Sequence, residues 1–503
     1  MAARISTSKA DDYQVESLDI YEKAGPLPMN DDPDAGLSDE ERQKRDRQLL
    51  RKLDLNLIPW LCLLYLISFL DRTNIGNAKI AGLQKDLKMT NGQWNASLAI
   101  FFVSYSVFEP ASNVLLKRFR PSRYIPTIMV LWGIACVCCG LVHDFAGLAT
   151  ARWFLGLFEA GLFPGCNFYL SCWYKRSEFG IRSAIFFSAA AIAGSFGGLL
   201  AAGISQMGGV GGKPGWAWIF ILEGLITIVV GVISVWMVHD FPDEATFLST
   251  EDRLRVYNRL KADQQASAEH ESFSWKYVMA SLKDWKTYTG CLIYMGAGGG
   301  LYGFSIFLPT ILAELGYRAT TAQLMSVPPY IAAALLTILT GFIADKTRQR
   351  GLCAIAISSL GVIGFGILLS DLPAGAKYAG TFLAAMGIYP CIPNTVTWLA
   401  NNTEGVYKRG ISLGVAMGWA NLQGVVISNV YRGKDAPRFV MGHAVVVGYL
   451  GVALFGGSVL QYFLLRRENA FKRAGARDYR VEGKSEAEVR LLGDLRPDFL
   501  YTL

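Results

Sequence analysis

Two pairs of ionisable residues stand inside stretches that are otherwise apolar. Asp71 and Arg72 are neighbours in the run 55–80, and Arg152 and Glu159 lie seven residues apart in the run 146–170. Charged groups at membrane depth are costly and point to function. Seven residues are two helical turns, so Arg152 and Glu159 share one helix face, about 10 Å apart along its axis. Two acids and two bases cancel in formal charge, and pairing makes their burial tolerable. Such a set supports two chemistries. The charges can simply hold helices together. Or the acids take up protons while the arginines hold an anion, because a guanidinium stays charged and its fork suits a carboxylate. A proton on the acid would weaken its grip on the arginine and free that arginine for the anion. The second chemistry is the expectation here, and it couples two ions without any covalent step.

The elements that must hold these residues are read from hydropathy. The chain has 503 residues, of which 18% are charged, against about 25% in a soluble domain. Mean hydropathy is +0.29. This disfavours a soluble enzyme, a disordered chain and a disulfide scaffold. A hydrocarbon core of about 30 Å asks for helices of about 20 apolar residues. Twelve such spans appear, near 55–80, 93–115, 124–142, 146–170, 183–205, 216–238, 288–312, 322–344, 352–370, 376–400, 410–431 and 443–465. The predicted fold is an all-α membrane protein with 12 transmembrane helices in two six-helix pseudo-repeat bundles. The predicted divisions are a disordered acidic tail (1–50), an N-terminal bundle (51–238), a central loop (239–287), a C-terminal bundle (288–465) and a cytoplasmic C-terminal tail (466–503), whose last 20 or so residues read as polar and loosely ordered. An amphipathic helix is expected at 250–265 in the central loop.

Charge placement sets orientation. With the N-terminus in the cytoplasm, inner segments hold 31 Lys and Arg and outer loops hold 9. The positive-inside rule then puts both termini and the central loop in the cytoplasm. Net charge is +7; the first 40 residues carry −7, so the rest carries +14. That excess lies on inner loops and does not suggest nucleic acid. No cleavable signal peptide is expected, since 1–40 has no apolar stretch. Nine scattered Cys and four dispersed His give no metal-ligand spacing, so no metal or cofactor is expected. No nucleophile elbow or phosphate loop appears, and the expectation is that the chain is not an enzyme.

Two loops repeat a pattern. After the eighth span the chain reads Gly341-Phe-Ile-Ala-Asp345-Lys346-Thr-Arg348-Gln-Arg350; after the second it reads Asn113-Val-Leu-Leu-Lys117-Arg118-Phe-Arg120. Both resemble the major facilitator signature GxxxD(R/K)xxx(R/K), which in that family fastens helices in the outward-facing state. The resemblance assigns a gating role to Asn113, Arg118, Gly341, Asp345, Lys346 and Arg350. The first copy has Asn113 for Gly and Lys117 for Asp, so it lacks the acidic latch.

A narrower resemblance rests on Phe69-Leu-Asp71-Arg72-Thr-Asn74-Ile-Gly76-Asn77-Ala in span 1. It extends to Tyr105-Ser-Val-Phe-Glu109-Pro110 in span 2 and Arg152-Trp-Phe-Leu-Gly156-Leu-Phe-Glu159 in span 4. These runs resemble the anion:cation symporters and, within them, the fungal allantoate/nicotinate permease family, over residues 50–470. The resemblance implies that Asp71 and Glu159 couple protons, and that Arg72 and Arg152 serve the substrate anion or gate the acids. Tyr105, Trp398 and Asn421 are implied as substrate contacts. The implied function is proton-coupled import of a small organic anion, nicotinate-like or another vitamin or nitrogen-source carboxylate. The alternative is a proton antiporter exporting a small metabolite or drug. It has less support, since Ala193-Gly194-Ser195-Phe196-Gly197-Gly198 lacks the Pro of the exporter motif GxxxGPxxGG. Expected partners are the anion, protons and the lipid bilayer, with a monomer in the plasma membrane favoured over the vacuole. Polar Glu223, Asn394 and Gln423 are read as interhelical hydrogen-bonding groups, with lining of the cavity as the alternative. The Gly-rich span 7, with Tyr294 and Tyr302, fits either a bend or tight packing.

Overall fold

The computed structural model describes residues 33–34, 36–262, 275–317, 319–431, 435, 438–484, 489 and 492–503. Every expected span forms a helix, and no strand occurs among the described residues. The first six are α1 (Asp39–Ile80), α2 (Asn91–Arg118), α3 (Pro121–Cys139), α4 (Phe145–Glu159, resuming as Leu162–Ser171), α5 (Arg176–Ile204) and α6 (Gly215–Met237). The second six begin with α7 (Trp285–Glu314), α8 (Ala319–Met325 and Val327–Thr347) and α9 (Arg350–Leu369). They end with α10 (Ala374–Ile388 and Cys391–Asn401), α11 (Val406–Val430) and α12. The last runs as Val440–Gly448, a π-helical stretch Tyr449–Gly456, and Gly457–Arg473. Nine helices among the described residues are long and apolar enough to cross a membrane on length and composition.

Local chemistry explains where helices start and break. Ser38 and Glu41 form a capping box at the start of α1, with Asp39, Glu40 and Glu41 in its first turn. Reciprocal caps and acids beside the positive helix end both favour a start there. Residues 39–50 therefore belong to α1, not to the expected tail; of that tail, 1–32 and 35 lie outside the described residues. Helices α4 and α10 hold equivalent places in the two halves, and both break next to proline. Pro164 has no N–H to donate, and its ring crowds the carbonyl of residue 160, where α4 breaks. Pro390 and Pro393 do the same around Tyr389 in α10.

The Gly-rich α7 is unbroken, which decides for packing over a bend. A side chain at Gly298 would sit 3.0 Å from Ala420, at Gly299 2.9 Å from Tyr449 and at Gly300 2.7 Å from Leu450. Small residues there let α11 and α12 lie close against α7.

The central loop carries two helices, Thr250–Ala262 and Trp275–Leu282, the second not anticipated. Residues 263–265 of the expected amphipathic helix lie outside the described residues. Ion pairs Lys52–Asp252 (2.8 Å), Arg255–Asp34 (3.0 Å) and Arg259–Glu178 bind the first helix to the start of α1 and α5.

The expectation that the last 20 or so residues are loosely ordered is overturned for 493–503. α12 runs on to Arg473, and the segment 493–503 docks on the ends of α7, α10, α11 and α12. Asp494 is 0% exposed and accepts from Lys286 and Lys408, each at 2.7 Å. Lys472 donates to the carbonyls of Asp494 (2.8 Å) and Phe499 (2.7 Å). Asn469 and Asn402 exchange paired hydrogen bonds with the backbones of Tyr501 and Thr502. Amide side chains here do for a peptide what a neighbouring strand would do. The sequence shows only a polar stretch, because the lysines that bury Asp494 lie 86 and 208 residues away.

A site between the two halves

The halves meet where α5 packs on α8 and α2 on α11. At the face bearing the start of α1 and the docked 493–503 segment, Asp345 of α8 accepts from the backbone N–H of Ile181 on α5 (2.6 Å) and pairs with Arg350. A side chain at Gly341 would run into Ala184. The second copy of the loop pattern thus ties one half to the other. Lys346 stands exposed beside the Phe342 ring. The side chains of Asn113 and Arg118 lie outside the described residues. Toward the opposite face the halves also touch: a Cβ on Gly76 of α1 would be 2.7 Å from the Ile306 carbonyl of α7, and one on Gly198 of α5 2.7 Å from the Gln323 carbonyl of α8.

Between these two closures is a cavity lined by Tyr65, Arg72, Tyr105, Tyr294, Tyr302 and Asn421. α1 stays helical through Asp71 and Arg72, and adjacent residues project about 100° apart. Arg72 therefore faces the cavity, while Asp71 faces α3 and α6. The Arg72 guanidinium donates to Glu159 Oε1 from Nε (3.1 Å) and Nη2 (2.7 Å), and from Nη1 to the Tyr302 hydroxyl (3.4 Å). It lies 4.8 Å from the Tyr105 ring centroid, which suits a cation–π contact. Ser68, one turn before Arg72, also donates to Glu159 Oε1 (2.7 Å); Glu159 Oε2 is buried without a partner.

From Arg72 the network crosses the interface twice. Tyr302 on α7 donates to Asn421 Oδ1 on α11, and Asn421 Nδ2 donates to Glu109 Oε2 back on α2 at 2.8 Å. Glu159, Arg72, Tyr302, Asn421 and Glu109 form one chain of hydrogen bonds joining the halves. Tyr105 and Asn421, expected as substrate contacts, line the cavity. Tyr302, whose cavity position the sequence left open, is a central link. Glu109, a carboxyl in an apolar run, carries the same sequence signal as Asp71.

Two expected residues stand elsewhere. Trp398 is not at the cavity: its Nε1 donates to the Thr502 carbonyl (2.9 Å), under the docked 493–503 segment. Helix α10 breaks at Tyr389, and its second piece carries Trp398 toward the face that bears this segment. Arg152 does not pair with Glu159. It lies 4.6 Å from the Phe101 ring centroid, with Nε and Nη1 buried and unpartnered, while Arg72 is 5.6 Å from the same ring. Four carboxyls (Asp71, Glu109, Glu159, Glu223) and two guanidiniums are buried in this half, and among them only Arg72–Glu159 is an ion pair. Among the described residues no group of His, Cys, Asp and Glu is arranged to hold a metal.

Two six-helix halves with a loop latch and a charged cavity between them invite comparison with known carriers. Residues 61–456 match the family described as the Major Facilitator Superfamily. The chain belongs to that superfamily. Like the rest of it, this major facilitator protein is a membrane transporter and not an enzyme. It is 36% identical over 472 residues to the MFS-type transporter cnsO of Penicillium expansum, covering 91% of this chain and 90% of that one. It is 31% identical over 456 residues to the high-affinity nicotinic acid transporter of Saccharomyces cerevisiae, covering 91% and 85%. Among solved structures, the proton:xylose symporter XylE aligns with a TM-score of 0.64 at 13% identity, over 81% of this chain and 96% of that one. An inward-facing bacterial homologue of the lysosomal transporter Spinster aligns at 0.60 and 16%, over 80% and 96%. These two likenesses bear on the fold alone.

Proposed function

We propose that this major facilitator protein imports a small organic anion together with protons, by alternating access of the cavity between its halves. The observation that carries this is the counter-ion of Arg72. The cavity's cation is held by Glu159, an acid that a proton can neutralise. A neutral Glu159 no longer attracts the guanidinium, so Arg72 turns its N–H groups to an incoming carboxylate; when the anion leaves, Glu159 ionises and takes Arg72 back. Tyr105, Tyr302 and Asn421 supply a flat face and two hydrogen-bonding groups around the anion's body. Asp71 is the second coupling acid. Arg152, with two unpartnered N–H groups behind Phe101, serves the anion once that ring moves. Likeness to a nicotinic acid transporter favours a compact monocarboxylate. The carrier is placed as a monomer in the plasma membrane, with both chain ends in the cytoplasm. Uptake of labelled nicotinate and competing carboxylates by cells expressing the chain tests this. Uptake is expected to rise as external pH falls and to collapse with a protonophore. Uptake indifferent to both would exclude proton coupling.

A further inference from the structure

A second group of buried acids lies in the seam of α1, α3 and α6, beside the central cavity but not among its lining. Asp71 Oδ2 accepts from Trp132 Nε1 (3.0 Å) and Thr227 Oγ1 (2.7 Å), and Cys136 Sγ lies 3.5 Å from Oδ1. Three residues along α1, Asn74 Nδ2 donates to Glu223 Oε2 at 2.6 Å. Glu223 is 3% exposed and Asp71 and Asn74 are 0% exposed. The titratable groups facing Glu223 are Asp71 on α1 and Cys136 on α3. Helix α5, which also touches α6, has no ionisable residue between 183 and 204. Arg72, the nearby cation of α1, is held by Glu159.

Two buried oxygens in this seam have no partner: Glu223 Oε1 and Asn74 Oδ1. An ionised Glu223 can only accept, so ionisation leaves both oxygens without a donor and sets a charge beside Asp71 with no cation. One hydrogen on Glu223 removes all three problems. The acid O–H donates, the amide oxygen accepts, and the amide N–H already donates to the other acid oxygen. We propose that Glu223 and Asn74 form a second proton-binding site, in which a neutral Glu223 donates to Asn74 Oδ1 inside the α1–α3–α6 seam. A sodium ion is a poorer occupant, because the Asn74 amide turns its N–H, not its oxygen, toward the carboxyl.

Thr227 gives the site its partner role. Its hydroxyl is 2.7 Å from Asp71 Oδ2 and 2.9 Å from the Glu223 main-chain carbonyl. It donates to Asp71 when that acid is charged; when Asp71 is neutral it accepts from Asp71 and donates to the carbonyl. Asp71 thus changes protonation with no group left unpaired, while Glu223 stays neutral and keeps a like charge away from it. Close packing of α3 on α6 keeps this arrangement from water: a Cβ on Gly224 would be 2.7 Å from the Val137 nitrogen.

The inference deepens the proposed coupling role of Asp71, but its test needs no substrate, so the two readings fail separately. Infrared spectra of the protein in lipid at neutral pH are expected to contain the carbonyl band of a protonated carboxyl that shifts in D2O. The Glu223 component of that band is expected to be lost in Glu223→Gln, which replaces the acid O–H by an amide N–H, and kept in Asp71→Asn and Glu109→Gln, which remove the other two buried acids outside an ion pair. Asn74→Leu removes the acceptor and is expected to move the band, which keeps the proposal testable if Glu223→Gln folds poorly. Absence of the band from the wild type, its undiminished survival in Glu223→Gln, or no movement in Asn74→Leu would overturn the proposal. So would disappearance of the band when sodium replaces choline, which would mark the site as one for a metal cation.

Discussion

Arg72 sits between a fixed acid and a hydroxyl from the other half, and each partner has its own consequence. Glu159→Gln keeps the volume and an acceptor but removes the charge that titrates. This variant is expected to exchange substrate across the membrane while failing to accumulate it against a gradient, read by counterflow beside net uptake in proteoliposomes. Full accumulation would remove Glu159 from the coupling path. Arg152→Ala is expected to abolish uptake with the protein still at the cell surface; transport with unchanged affinity would leave Arg152 a structural role only. Asp71, Arg72, Arg152 and Glu159 were legible because a charge in an apolar run is conspicuous. Their partners were not. Trp132, Thr227 and Tyr302 are common residues of membrane helices, and only the packing of α3, α6 and α7 turns them toward Asp71 and Arg72. Trp398 misled for the same reason: a tryptophan near a helix end looks alike whether it meets a substrate or a carbonyl 104 residues away.

At the level of elements, hydropathy put a helix at each of the twelve expected spans, nine of which, among the described residues, are long and apolar enough to cross a membrane. Boundaries beyond the membrane followed other rules. The 39–54 part of α1 is too polar for a hydropathy window, yet Ser38 and Glu41 are a readable cap. The contact of α5 with α8 is the element most open to test. Gly341→Leu is expected to prevent the closure that Ala184 now completes, leaving a folded carrier with little uptake. Asp345→Asn keeps the shape but weakens the bonds to Ile181 and Arg350, and is expected to slow uptake less severely. Thiol labelling of a reporter cysteine on α5 near Ile181 checks both, with faster labelling expected in each variant. Labelling as slow as in the wild type would mean that this latch does not hold the halves together.

For the whole molecule, the docked 493–503 segment ties four helices of the C-terminal half. Burial alone would raise the Asp494 carboxyl, but Lys286 and Lys408 outweigh it and hold it below the ordinary carboxylate range. A lowered value in the folded state means stability that is present above the ordinary value and lost as pH falls through the lowered one. Thermal unfolding of the purified protein is thus expected to show an acid-side loss that Asp494→Asn flattens. Asp494→Ala is expected to lower the melting temperature at neutral pH, because it leaves two buried ammonium groups, Lys286 and Lys408, to share Asp284 alone. An unchanged melting temperature would show the segment to be dispensable. The docking also fixes an order of events during synthesis. Lys286 leaves the ribosome 208 residues ahead of Asp494, a lag of ~10–40 s at ~5–20 residues per second. For that time Lys286 and Lys408 have Asp284 as their one shared acid. The C-terminal half therefore gains the second acid of its lysine pair only after its six helices have been made, and a chain that stalls before Asp494 carries two buried ammonium groups on one carboxylate.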